Sequence, residues 1–205
     1  MAERDLFVPG KFTDLQDKIQ LHLLNELLED IVDSLHTAAN PASIVARTVS
    51  STTVTSTATE TTVFSATLPA GTLGTDRLVR LDLGGDYQND TGISRTCTVR
   101  VKLGSTTLAA LDPVLTTATD RGAVILTTFI SGTGSTTSQV ARSMLLLSGI
   151  GGNTGADTSA TPRFAMHNSV AEDAASDLTL AVTVEHSAAS ASLTFNATFV
   201  QVEAS

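Results

Sequence analysis

Two periodicities divide this chain of 205 residues. Between residues 13 and about 37, Leu15, Ile19, Leu23, Leu24, Leu27, Leu28, Ile31, Val32 and Leu35 recur at spacings of three and four. His22, Asn25, Glu26, Glu29, Asp30 and Asp33 take the opposite stripe. That spacing predicts an amphipathic helix with a wide apolar face over residues 13–40. Thr13 followed by Gln16 fits a capping box at its start. Asn40-Pro41 closes it, because the residue before a proline is pushed out of the helical region. Ahead of the helix, residues 1–12 read as an extended tail carrying Leu6, Phe7, Val8 and Phe12 as apolar anchors.

Beyond residue 60 the period falls to two. Cys97, Val99, Val101 and Leu103 share one phase against Thr96, Thr98, Arg100 and Lys102, and Leu178, Leu180, Val182 and Val184 oppose Thr179, Ala181, Thr183 and Glu185. Such alternation means one buried and one wet face, as in antiparallel sheets. Strands are predicted at Thr62–Leu68, Arg77–Leu83, Arg95–Leu103, Thr106–Leu111, Ala123–Ile130, Gln139–Leu147, Leu178–His186 and Ser192–Val202, separated by Gly, Pro, Asn and Asp. The expected fold is therefore mainly β, an antiparallel jelly roll or β-sandwich of about eight strands over residues 60–205, preceded by the N-terminal amphipathic helix. Residues 41–59 lie between the two regions. Residues 48–62 hold 11 Thr or Ser in 15, and 41–59 reads as a linker that turns into a first strand near Glu60.

Composition narrows the functional classes. Only 16% of residues are charged, yet 41% are hydrophobic, enough for a sizeable core. The net charge of −9 argues against a nucleic-acid partner, whose binding is mostly cation-driven. No apolar stretch approaches the roughly 18 residues of a membrane span. The N-terminus lacks the cationic start and apolar run of a signal peptide, so synthesis in a cytoplasm is expected.

The chemistry candidates are few. Asp86, Gln88 and Asp90 alternate as in a calcium loop, but the loop lacks the sixth-position glycine, and Cys97 stands where a bidentate Glu belongs. A polar turn between strands is the better reading. His22, His36, His167 and His186 have no metal-ligand spacing. No G-x-S-x-G elbow is present, and His167 with Asp173 and a serine makes a triad only on paper. Cys97 falls on the apolar face of its strand, where a thiol acts as a small hydrophobe. Gly132–Gly134 and Gly149–Gly155 match neither phosphate-binding fingerprint and read as hairpin or loop glycines. No catalytic residue, metal or cofactor is expected.

The helix bears on function. Two heptads are short of a free-standing coiled coil, and nine exposed apolar side chains would aggregate, each contributing about 1.5–3 kcal/mol when buried. The arm must dock on its own body, on neighbouring copies or on another protein.

The body resembles a known group. Leu68-Pro-Ala-x-Thr-Leu-Gly74, Gly85-Asp-Tyr-x-Asn-x-x-Gly92, the strand from Arg95 to Lys102-Leu-Gly104, and the His186-Ser-Ala-Ala-Ser190 turn before the last strand are similar to small jelly-roll virion proteins of tailed bacteriophages. The likeness covers roughly residues 60–203 and leaves out residues 1–47. It implies a virion structural protein, since such domains occur in head decorations, head fibres and tail fibres. Taken with the docking helix, the leading expectation is a capsid decoration (cement) or head-fibre protein on the capsid exterior that forms a homotrimer and binds the major capsid protein through its arm. The partner-binding residues are then Leu6, Phe7, Val8, Phe12, Leu15, Ile19, Leu24, Leu28, Ile31 and Leu35. Two alternatives stay open. One is a tail-fibre or receptor-binding module for host-surface glycans, for which Tyr87 is one of few suitable side chains. The other is a polysaccharide hydrolase using Asp86 with Asp90, or Glu172 with Asp173, which nothing in the sequence positions as acid and nucleophile.

Overall fold

The computed structural model describes residues 43–148 and 163–205, all within one compact unit, Ala42–Ser205. The tail, the helix and all ten partner-binding residues expected in the arm lie outside the described residues, as does Gly149–Gly155.

Every period-two segment forms a strand. The elements are β1 Ser43–Thr48, β2 Thr52–Thr55, β3 Thr61–Leu68, β4 Leu78–Asn89, β5 Arg95–Leu103, β6 Thr106–Leu111, β7 Val114–Leu115, β8 Ala118–Ser135, β9 Ser138–Leu147, β10 Arg163–Val170, β11 Leu178–His186 and β12 Leu193–Ala204. All pairings are antiparallel. A large sheet runs β1-β12-β4-β8-β9-β10, with β2 also on β12, and a small sheet runs β3-β11-β5-β6, with β7 on β5. The mainly β, antiparallel expectation holds, and no helix occurs among the described residues.

The inner faces meet in a single core. Leu81, Leu83, Val124, Leu126, Leu145 and Val202 from the large sheet are buried in one cluster with Val99, Val101, Leu180, Val182 and Leu108 from the small one. Burying such a side chain contributes about 1.5–3 kcal/mol. Cys97 lies in this core as expected, and burial, with Asp112 nearby, pushes its thiol up to about 12. At that value it is no nucleophile at neutral pH.

Several expectations need correction. Among the described residues alone there are twelve strands where about eight were expected. Residues 41–59 are not simply a linker, since they contain β1 and β2. Thr and Val favour extended chain, and Val54, only 1% exposed, anchors β2 in the core. The polar turn read at Gly84–Gly92 is mostly strand, because β4 continues to Asn89. It can do so because β12 bulges between Ala197 and Phe199, and Gly85 has no side chain to oppose the bulge. A Cβ at Gly85 would stand 1.9 Å from the Asn196 carbonyl oxygen. The chain actually turns near Gly92, whose φ of +79° suits glycine. Finally, β10 was not foreseen, because RFAMHNSV has no clean period.

One end of the sandwich is cross-tied. Gly71 N–H donates to the Ala174 carbonyl and Ala174 N–H to that of Thr136, both at 2.8 Å. Glu172 accepts from Ser105 and Thr106 on the β5–β6 turn, and these bonds, that of Thr106 foremost, hold its carboxyl below the usual range. Glu172 and Asp173 both bond within the loops at this end, Asp173 accepting from the Ala175 N–H.

Candidate interaction face

Residues opposite each other in an antiparallel pair share a face, so the register lists what each outer surface presents. On the small sheet it presents a closed polar set. Glu60, just before β3, takes up Lys102, Arg100 and the Thr183 hydroxyl. These bonds, that from Lys102 first, hold the Glu60 carboxyl below its ordinary value. Arg100 also binds Glu185 at 2.7 Å, and the Thr98 hydroxyl donates to Asp112 at 2.6 Å. Among the described residues, none of the large exposed apolar side chains lies on β3, β11, β5 or β6.

The large sheet presents three cross-strand rows. One is Phe199, Gly84, Ile125 and Leu146; the next is Gln201, Asp82, Thr127, Met144 and Ala165; the third is Glu203, Arg80, Phe129, Arg142 and His167. Ile125 is 52% exposed, Phe129 40% and Met144 42%. Arg80 lies over the Phe129 ring, 5.6 Å from its centroid, while its guanidinium pairs with Asp82 at 2.7 Å. Phe129 and Arg142 form a ridge between two depressions. One, of about 420 Å³, is lined by Met144, Ala165, Met166 and His167; the other, of about 240 Å³, by Leu78, Ser131 and Val140. Among the described residues, Arg142 and His167 have no carboxylate partner.

The residues considered for chemistry are dispersed. Asp86 is bound by Arg121 and by the Asn196 amide, while Asp90 sits in the β4–β5 turn with its N–H on the Ser192 carbonyl. No group of three or more potential ligands gathers among the described residues. Tyr87 is buried, its hydroxyl donating to the Ser148 carbonyl at 2.9 Å, and burial pushes its pKa up to about 12. It therefore offers no exposed ring to a glycan. His167 is exposed on β10, whereas His186 is buried opposite Cys97 with neither ring nitrogen hydrogen-bonded.

Phe129, Met144 and Ile125 escaped the sequence reading, although a signal was present. In 123–130 and 144–147 both phases are apolar, unlike the clean alternation of β5. An apolar second phase indicates a strand with company on both sides.

No family model matches this chain, and neither does any curated protein. Two solved structures show loose similarity in fold. The CBM2 module of the evolved Dit of Lactobacillus casei BL23 phage J-1 is 9% identical, covering 68% of this chain and 67% of that one, with a TM-score of 0.34. Infectious bursal disease virus Gx strain is 13% identical, covering 80% of this chain but only 39% of that one, with a TM-score of 0.29. Nothing about function follows from likenesses this distant.

Proposed function

We propose that this chain is a virion structural protein without enzymatic activity, a capsid decoration (cement) or head-fibre protein. It self-associates, as a homotrimer, and binds the major capsid protein on the capsid exterior through its N-terminal arm. The observation that carries this reading is an outer face that leaves Phe129, Met144 and Ile125 to solvent, on a body whose candidate catalytic carboxylates Asp86 and Glu172 are taken up in strand and loop bonding. Among the described residues, Asp82, Asp86, Glu60, Glu172 and Asp112 each hold structure together, which supports a structural rather than a catalytic part for them. An assembly component needs such a surface, and an enzyme needs the opposite. Strand order supports a jelly roll: β1/β2-β12-β4-β8 faces β3-β11-β5-β6, with β9 and β10 added beyond β8. The leucine stripe from Leu15 to Leu35 supplies the apolar surface for attachment. Several arms acting together would turn weak contacts into tight binding.

The test is deletion of residues 1–37, which leaves all the described strands in place. Circular dichroism should show a folded β body, and co-sedimentation with undecorated shells should fall to background. A truncated protein that still coats shells would remove the arm from the mechanism.

A further inference from the structure

We infer that a second copy of this chain docks on the outer face of the large sheet, the β8–β10 half of one copy lying on the β12–β4 half of the next. The inference rests on the self-association in the function proposed above and names the surface responsible.

Size is the first argument. Five strands about 4.8 Å apart, each presenting about eight residues at about 3.4 Å, span roughly 650 Å², near the ~800 Å² per partner of a standard interface. Face-to-face packing of twisted sheets is also an established way to bury such surfaces. The small sheet's outer face, already saturated with ion pairs, offers no comparable gain.

Charge is the second. Copies carrying −9 repel one another, so contact is favoured where charges balance. In the row Glu203, Arg80, Phe129, Arg142, His167, the carboxylate of Glu203 accepts from the neutral Gln201 amide but has no cation within ion-pair distance among the described residues, and Arg142 has no anion. These unmatched charges stand on opposite halves of one face. A rotation axis parallel to the strands, between β4 and β8, keeps the row in register and exchanges the halves. Glu203 of one copy then meets Arg142 of the next, and Arg80 meets the Phe129 ring. Glu203 and Arg142 thus supply each other's counter-charge, and Met144 and Ile125 are covered beside them. A twofold axis makes this exchange with the two faces flat on each other, and it joins copies in pairs whichever contact closes the proposed trimer.

Sedimentation velocity of the full chain tests it. The wild type should sediment as an oligomer. Phe129→Glu should raise the half-assembly concentration at least about thirtyfold, the effect of losing a hot spot, with an unchanged unfolding transition. The milder Met144→Gln should weaken assembly about fivefold and serves if Phe129→Glu fails to fold. Val114→Glu, at an exposed apolar residue on β7, should change nothing. Glu203→Arg and Arg142→Glu should each weaken assembly, and the double variant should recover most of the loss. A monomeric wild type, full assembly by Phe129→Glu, or a double variant no better than the singles would overturn the inference. Assembly through this face with no binding to shells would instead sink the decoration reading alone, and monomers that coat shells would do the reverse.

Discussion

On the small sheet's outer face Glu60 alone engages Lys102, Arg100 and Thr183, whereas on the large sheet Phe129, Met144 and Ile125 lie against solvent beside two separate ion pairs, Arg80–Asp82 and Arg121–Asp86. Both surfaces are built on strands of one sandwich, and both back onto the same core. They differ in where their bonding ends. Polar side chains on the small sheet close on their neighbours, so that face is finished within the molecule. The large sheet's face leaves its apolar side chains open, and the proposed self-association rests on that surface.

The comparison breaks most readily at Glu60. Glu60→Ala removes partners from Lys102 and Thr183, and it should cost the body about 1–2 kcal/mol, reduced from a buried pair because these groups are partly exposed. Phe129→Ser on the other face should cost the body no more than about 0.5 kcal/mol. Urea denaturation of both variants checks the contrast. Equal losses would mean that the two faces play the same structural part.

This division was half legible in the chain. Alternation in 95–103 and 178–186 located the small sheet's strands because each has one wet face. The same rule fixed the core face of the large sheet's strands but gave no meaning to their second apolar phase. Gly84–Asn89 misled because glycine and polar residues are the usual signs of a turn. Here Gly85 yields to the carbonyl of a bulged neighbour, and that long-range contact leaves no local trace. The β10 strand was hidden for a related reason, since a mixed period arises where inner and outer positions are both partly exposed. The leucine stripe from Leu15 to Leu35 was the clearest feature of the sequence, yet it belongs to the part of the chain outside the described residues.

Acidity gives a second, smaller effect, and it separates body from interface. His186 is 1% exposed with both ring nitrogens unpartnered, and burial holds its pKa below the ordinary 6.5. The unfolded chain therefore binds this proton more readily, so stability falls as pH drops through about 6.5, by up to about 1.4 kcal/mol per pH unit. Glu60 and Glu172, held below their ordinary 4.5, contribute stability that is lost only at lower pH. Between the two ranges His186→Phe should flatten the stability profile, and the same substitution should leave assembly through the large sheet untouched. Chemical denaturation at pH 7, 6 and 5 measures the first and sedimentation at pH 7 the second. An unchanged slope would show that His186 is protonated without cost in the folded protein.

The smallest expected effect is also the most direct comparison of the faces, because it exchanges similar side chains between them. Ile125→Thr on β8 keeps a β-branched residue on the strand, so the fold should change by less than about 0.5 kcal/mol. It replaces an ethyl group on the open face by a hydroxyl; Ile125 is already about half covered in the single copy, so about 0.8 kcal/mol of further burial is lost and assembly should weaken about fourfold. Thr179→Ile makes the reverse change at an exposed position on β11, in the small sheet. If apolar surface alone drove association, Thr179→Ile would strengthen it. If the position within the large sheet's rows matters, with Arg142 and Glu203 setting how copies meet, Thr179→Ile should leave the half-assembly concentration where it was. The second outcome is the expected one, because an ethyl group in place of a hydroxyl on a face closed by its own ion pairs has no complementary surface to meet.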